Sequence, residues 1–130
     1  PSIIKNPLKK EFEIMKKYSN EIKIIQKAMF KVVNEKKGTA NRSKSNDFSF
    51  SGKTGTSQVK KITLEERKSE NFRKSEIEWK NRDHALFVGY MPADKPKYAI
   101  SVIIEHGGSG ASVAAPIAKD VFEFIYKNKI

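Results

Sequence analysis

The chain has 130 residues, 38% hydrophobic and 32% charged, with 22 Lys and 4 Arg against 15 acidic residues for a net charge of +11. That size supports one soluble domain with a modest core, and no apolar run reaches the roughly 18 to 20 residues of a membrane-spanning helix. The lack of cysteine excludes disulfides and thiolate metal sites, and two histidines 22 positions apart argue against a zinc centre, so no metal or cofactor is expected. The cations are mostly Lys and spread along the chain, whereas base and phosphate recognition favours Arg forks. The charge therefore reads as a solvated surface, with no nucleic-acid partner. A start at Pro1 without a secretory signal predicts a piece of a longer protein.

Residues 1 to 18 mix apolar and basic residues around Pro7 and read as a lead-in with a short helix from Lys9. From Asn20 to Lys37, Ile22, Ile25, Met29 and Val32 recur at helical steps, and Ala28 and Val33 widen the stripe. This predicts an amphipathic helix over about 20–37, with one face buried. Asn20 is its expected N-cap, and Lys36-Lys37-Gly38 supplies cations and a glycine for its C-terminal end. Thr39 to Asp47 is a polar loop. Phe48-Ser49-Phe50-Ser51 then alternates apolar and polar into Gly52-Lys53-Thr54-Gly55-Thr56, and Gln58-Val59 leads out, predicting a strand over about 48–59. Glycine weakens a strand and often marks close approach by a ligand or another backbone.

Lys60 to Arg82 is a charged surface excursion (60–82), with Thr63-x-x-Glu66 and Ser75 as helix starts and Trp79 as its anchor. His84 to Met91 reads as a strand, Pro92 to Pro96 as a turn, and Tyr98 to Glu105 as a second strand, giving an antiparallel hairpin (84–91, 98–105). Gly107, Gly108 and Gly110 form a turn that needs permissive backbone angles. Ser112 begins a final helix over about 112–127, with Val113, Ile117, Val121 and Phe124 on one face and Pro116 in its first turn. The order predicts an α+β fold, an antiparallel β-meander packed with helices. His84 and His106 are expected to be structural hydrogen-bonding residues, because no acid/base triad accompanies either.

A Lys-Thr-Gly strand is one of three motifs of serine penicillin-recognising enzymes. Five further windows accompany it in order: Val32-Val33-Asn34, Gly38-Thr39-Ala40, Asp83 to Pro92, Glu105 to Gly110, and Ala114 to Ala118. Together they resemble the C-terminal part of the transpeptidase domain of elongation-type class B penicillin-binding proteins, from about Ala28 to Ala118. The resemblance implies a partial penicillin-binding, β-lactamase-like fold and a parent D,D-transpeptidase that cross-links peptidoglycan stem peptides and is acylated by β-lactams. It implies a periplasmic domain of an inner-membrane-anchored bacterial protein, with the remainder of the transpeptidase domain and cell-wall elongation proteins as partners. It also implies site roles. Lys53 supplies positive charge beside the proton relay and the substrate carboxylate, and the Thr54 and Thr56 hydroxyls meet that carboxylate. The Thr56 backbone N–H forms half of an oxyanion hole, and Gly55 lets the substrate backbone approach. The charged excursion and the Asp83 to Pro92 window favour this reading over a β-lactamase.

The other two family motifs are Ser-x-x-Lys and Ser-x-Asn. Ser2/Lys5, Ser57/Lys60 and Ser69/Asn71 match by spacing, but 12 serines among 22 lysines yield about two Ser-x-x-Lys matches by chance. Pro7 interrupts the first segment, residues 57 to 60 continue a strand, and Ser69 follows the Lys-Thr-Gly strand where the family places it before. The nucleophile is thus expected outside this chain, which alone should be inactive. Without the family's neighbouring strands, the 98–105 strand should also present an open edge that favours self-association.

Overall fold

The computed structural model describes residues 17–59 and 78–130. Its α+β core is a three-stranded antiparallel sheet in the order β1 (Ser51–Ser57), β2 (His84–Met91), β3 (Tyr98–Ile104). Helix α1 (Ser19–Asn34) precedes the sheet and α2 (Ala115–Lys127) follows it. The registers pair Lys53 with Val88 and Gly55 with Leu86 across β1 and β2, and Leu86 with Ile103 across β2 and β3. The helix starts expected at Lys9, Thr63 and Ser75 lie outside the described residues, and Trp79, at the end of the last of these segments, lies in a 3-10 turn over Trp79–Asn81.

Alternation divides the sheet into two faces. Ala85, Phe87 and Met91 of β2 and Val102 of β3 are buried in one core with Phe50, Ala114, Ala115, Ala118 and Phe122. Phe50 sits at its centre, its ring 5.4 Å from that of Phe122 and 6.3 Å from that of Phe87. Burying each of these rings contributes on the order of 2 to 3 kcal/mol. The opposite face carries Val88, 46% exposed, and Ile103, 61% exposed. There Tyr90 reaches α1, donating its hydroxyl to the Gln26 carbonyl at 3.5 Å.

The face of α2 differs from the sequence expectation. Ala115, Ala118 and Phe122 are buried, whereas Ile117, Val121 and Phe124 are exposed. Both stripes have helical spacing, so periodicity alone cannot choose between them. The alanine stripe brings the helix close to a sheet surface already filled by Phe50 and Phe87, while the bulkier stripe would hold it away. A π-turn over Gly110–Ala114 leads into α2, with the Ala115 N–H bonded to the Gly110 carbonyl. Pro116 follows at once and has no N–H to close an ordinary turn.

Helix α1 departs from expectation at both ends and along its face. It begins at Ser19, ahead of Asn20, with no side-chain cap. It stops at Asn34, where Glu35 turns extended and the Asn34 amide donates to the carbonyls of Phe30 and Phe50, both at 2.9 Å. This tertiary tie to the start of β1 replaces the expected run to Lys37. Val33 is buried and Val32 half-buried, but Ile25 is exposed, because only the C-terminal part of α1 packs on the core.

Strand β1 is shorter than expected, since Phe48 to Phe50 lie outside its ladder. Within it Gly52 pairs with Gly89, and the Phe87 ring lies over both. A Cβ at Gly52 would sit 2.1 Å from Phe87 Cζ and 2.7 Å from the Val88 oxygen. The sequence raised close approach by a ligand or another backbone as the reason for glycine in this strand; at position 52 the close neighbours are the Val88 backbone and the chain's own aromatic ring. Gly52→Ala is therefore expected to cost about 3 kcal/mol in denaturant unfolding, and a loss below about 0.5 kcal/mol would mean that the ring moves aside freely.

Candidate functional site

Strand β1 lies at the edge of the sheet among the described residues, so one row of its backbone groups has no strand partner there. Alternation places Lys53 and Gly55 on the open face with Val88 and Leu86, and Thr54 and Thr56 on the α2 face with Phe87 and Ala85. Lys53 is exposed, and its Nζ folds back to donate to the Thr54 carbonyl at 2.6 Å. Thr56 is exposed as well. A Cβ at Gly55 would meet only Leu86, at 3.3 Å from its Cβ and 3.8 Å from its Cδ1. The strand thus presents an ammonium on one face, two hydroxyls on the other, and along its edge backbone without a strand partner among the described residues.

A residue not assigned a role from sequence joins this group. Thr39 Oγ1 lies 2.9 Å from Thr54 Oγ1. The segment after α1 folds back over the helix end, with the Ala40 N–H on the Val32 carbonyl at 3.0 Å and the Asn41 amide on the Val33 carbonyl at 3.4 Å. The sequence signal for Thr39 was the short Gly38-Thr39-Ala40 window, which carried resemblance but no geometry.

The loop after β3 packs against the same strand. Gly110 is buried, and a Cβ there would lie 2.3 Å from both the Gly55 and Leu86 carbonyl oxygens. Close approach, more than backbone angle, requires this glycine. Gly108 has φ of 82° and does meet the expected need for a permissive angle.

His84 and His106 form a structural pair at the far end of β2. The His106 N–H donates to His84 Nδ1 at 2.9 Å, and His106 Nδ1 lies 3.0 Å from the Arg82 carbonyl. A carbonyl only accepts, so His106 Nδ1 carries its proton. These bonds hold His106 at φ 54°, a left-handed conformation uncommon outside glycine. Trp79 packs against His106 with ring centroids 4.4 Å apart and the rings tilted by 56°, while staying 62% exposed, so it ties the end of the excursion to this pair.

The arrangement suits an extended peptide ending in a carboxylate, bound along a strand edge beside positive charge. Among the described residues no group of three or more His, Asp or Glu side chains is placed to hold a metal. Ser57 lies in β1 opposite His84, not at the start of a helix; Ser2 and Ser69 lie outside the described residues.

A Lys-Thr-Gly stretch, here on the edge strand of a helix-backed antiparallel sheet, is shared with penicillin-recognising serine enzymes. A family model described as the penicillin binding protein transpeptidase domain matches residues 1–123, and the chain belongs to that family. Peptidoglycan D,D-transpeptidase MrdA of Acinetobacter baumannii is 41% identical over 100 residues, covering 77% of this chain and 14% of that protein. MrdA of Haemophilus influenzae is 33% identical over 106 residues, covering 81% and 16%. Among solved structures, penicillin-binding protein PBP2 of Helicobacter pylori, in its complex with MreC, superposes with a TM-score of 0.69 at 28% identity, covering 94% of this chain and 20% of that one. The chain therefore corresponds to part of a PBP2/MrdA-type transpeptidase domain, and it spans only 14 to 16% of these two curated relatives.

His84→Ala removes the acceptor that holds the His106 N–H and is expected to cost about 1 to 2 kcal/mol in unfolding. A loss below about 0.5 kcal/mol would mean that this bond contributes little to the fold.

Proposed function

We propose that this chain is the C-terminal, substrate-binding portion of a peptidoglycan D,D-transpeptidase that cross-links stem peptides and is acylated by β-lactams. The observation that carries the reading is the edge position of Lys53-Thr54-Gly55-Thr56 on a sheet of the transpeptidase family. Family membership favours this over the β-lactamase reading.

Lys53 supplies positive charge beside the proton relay and the carboxylate, and Thr54 and Thr56 donate hydroxyl hydrogen bonds to that carboxylate. The Thr56 N–H serves as half of an oxyanion hole, where one preorganised donor stabilises the transition state by about 3 to 4 kcal/mol. Gly55 leaves the edge clear for the stem-peptide backbone. The serine nucleophile belongs to a part of the protein outside this chain, which suits the strand position of Ser57 and the small share of each relative that the chain spans.

The remainder of the transpeptidase domain covers the open apolar face of Val88 and Ile103, from which Lys53 also projects. No described helix is long and apolar enough to cross a membrane. We place this portion in the periplasm, with the parent anchored elsewhere in the inner membrane. A MreC-like elongation protein is a partner of the parent, on the strength of the Helicobacter pylori complex.

Fluorescent penicillin provides the test. The 130-residue chain should take no covalent label, whereas the full-length protein should label specifically. Lys53→Ala should lower its acylation on the order of a hundredfold or more. Specific labelling of the isolated chain, lost on denaturation, would put the nucleophile within it.

The isolated chain should also self-associate through the β3 edge, where Ile103 is 61% exposed. Sedimentation at high concentration should reveal dimers or larger species, reduced by Ile103→Lys. A strictly monomeric profile would count against an available edge.

A further inference from the structure

Resting on the transpeptidase reading, we propose that Thr39 is a positioning residue that sets the hydrogen-bonding direction of Thr54 and so tunes recognition of the substrate carboxylate. The two hydroxyl oxygens lie 2.9 Å apart, and either can donate. A carboxylate accepts only, so Thr54 must give its proton to the substrate. Its oxygen is then left to accept, and Thr39 is the neighbouring hydroxyl that can donate to it. Substrate binding thus selects one of two proton arrangements, with Thr39 as donor, Thr54 as relay and the carboxylate as final acceptor. Such a chain polarises each successive bond.

The geometry holds Thr39 firmly enough for this task. On its N-terminal side, the Gly38 N–H donates to the Glu35 carbonyl at 2.8 Å, and a Cβ at Gly38 would lie 2.2 Å from the Val32 oxygen. On its C-terminal side, Ala40 is buried and its N–H holds the same Val32 carbonyl at 3.0 Å. Thr54 is fixed by pairing with Phe87 in the ladder. Two backbone segments separated by 15 positions therefore present their hydroxyls to each other from anchored positions, and neither is a mobile tip. Sequence spacing would not reveal the pair, because Thr39 belongs to the segment after α1 and Thr54 to the strand.

The experiment measures acylation of the full-length protein by benzylpenicillin and by its methyl ester, which masks the carboxylate. Wild-type protein, Thr39→Val and Thr39→Ser are compared by the acid-to-ester ratio within each preparation. Thr39→Val should lower acylation by the acid about tenfold and leave the ester within about twofold, while Thr39→Ser restores the ratio. On a Thr54→Val background, Thr39→Val should add no further change in the ratio. An unchanged ratio in Thr39→Val, an equal fall for both probes, or failure of Thr39→Ser to restore it would overturn the role of Thr39 alone. If neither probe acylates the wild-type protein, the transpeptidase reading falls and this role falls with it.

Discussion

Phe87 rises from the middle strand into the core, and its ring takes the space that side chains at positions 52 and 89 would need. Because those two glycines face each other across β1 and β2, the ring joins both strands at one point and meets Phe50 from the segment entering β1. Phe50 in turn meets Phe122 of α2. One aromatic chain therefore runs from the sheet into the C-terminal helix, and the edge strand is held flat against it. The lysine and hydroxyls of β1 project from backbone that this packing fixes, as a binding site needs if its donors are to keep their aim.

The sheet divides its labour between faces. Its α2 side is closed by small helical residues and aromatic rings, while the other exposes Val88 and Ile103 beside Lys53. An apolar surface next to a lysine is costly to leave in water and useful to bury against a neighbouring layer. The chain thus has a finished core on one side and a surface suited to further protein on the other, in keeping with its small share of its relatives' length.

Much of the architecture was legible from residue patterning. The apolar runs of 84–91 and 98–105 with the Pro92 to Pro96 turn between them formed the hairpin, and the Lys53-Thr54-Gly55-Thr56 stretch formed a strand at the sheet edge. The buried face of α2 was not legible, because Ala115, Ala118 and Phe122 compete with a bulkier stripe of equal period, and only the volume left by the sheet decides between them. The end of α1 was misread for a similar reason. Local composition favoured Lys36-Lys37-Gly38, but the Asn34 amide found a carbonyl 16 positions away at Phe50.

By itself the sequence determined the order of elements, the family and the chemical content of the edge strand, since these depend on period, turn chemistry and ordered short motifs. Only the tertiary structure decided which glycine served packing, which apolar stripe was buried, and which hydroxyl met Thr54. Those outcomes depend on shape and distance between segments far apart in the chain. Hydrogen bonds and close packing act over a few ångströms in space, and sequence separation carries no measure of that distance.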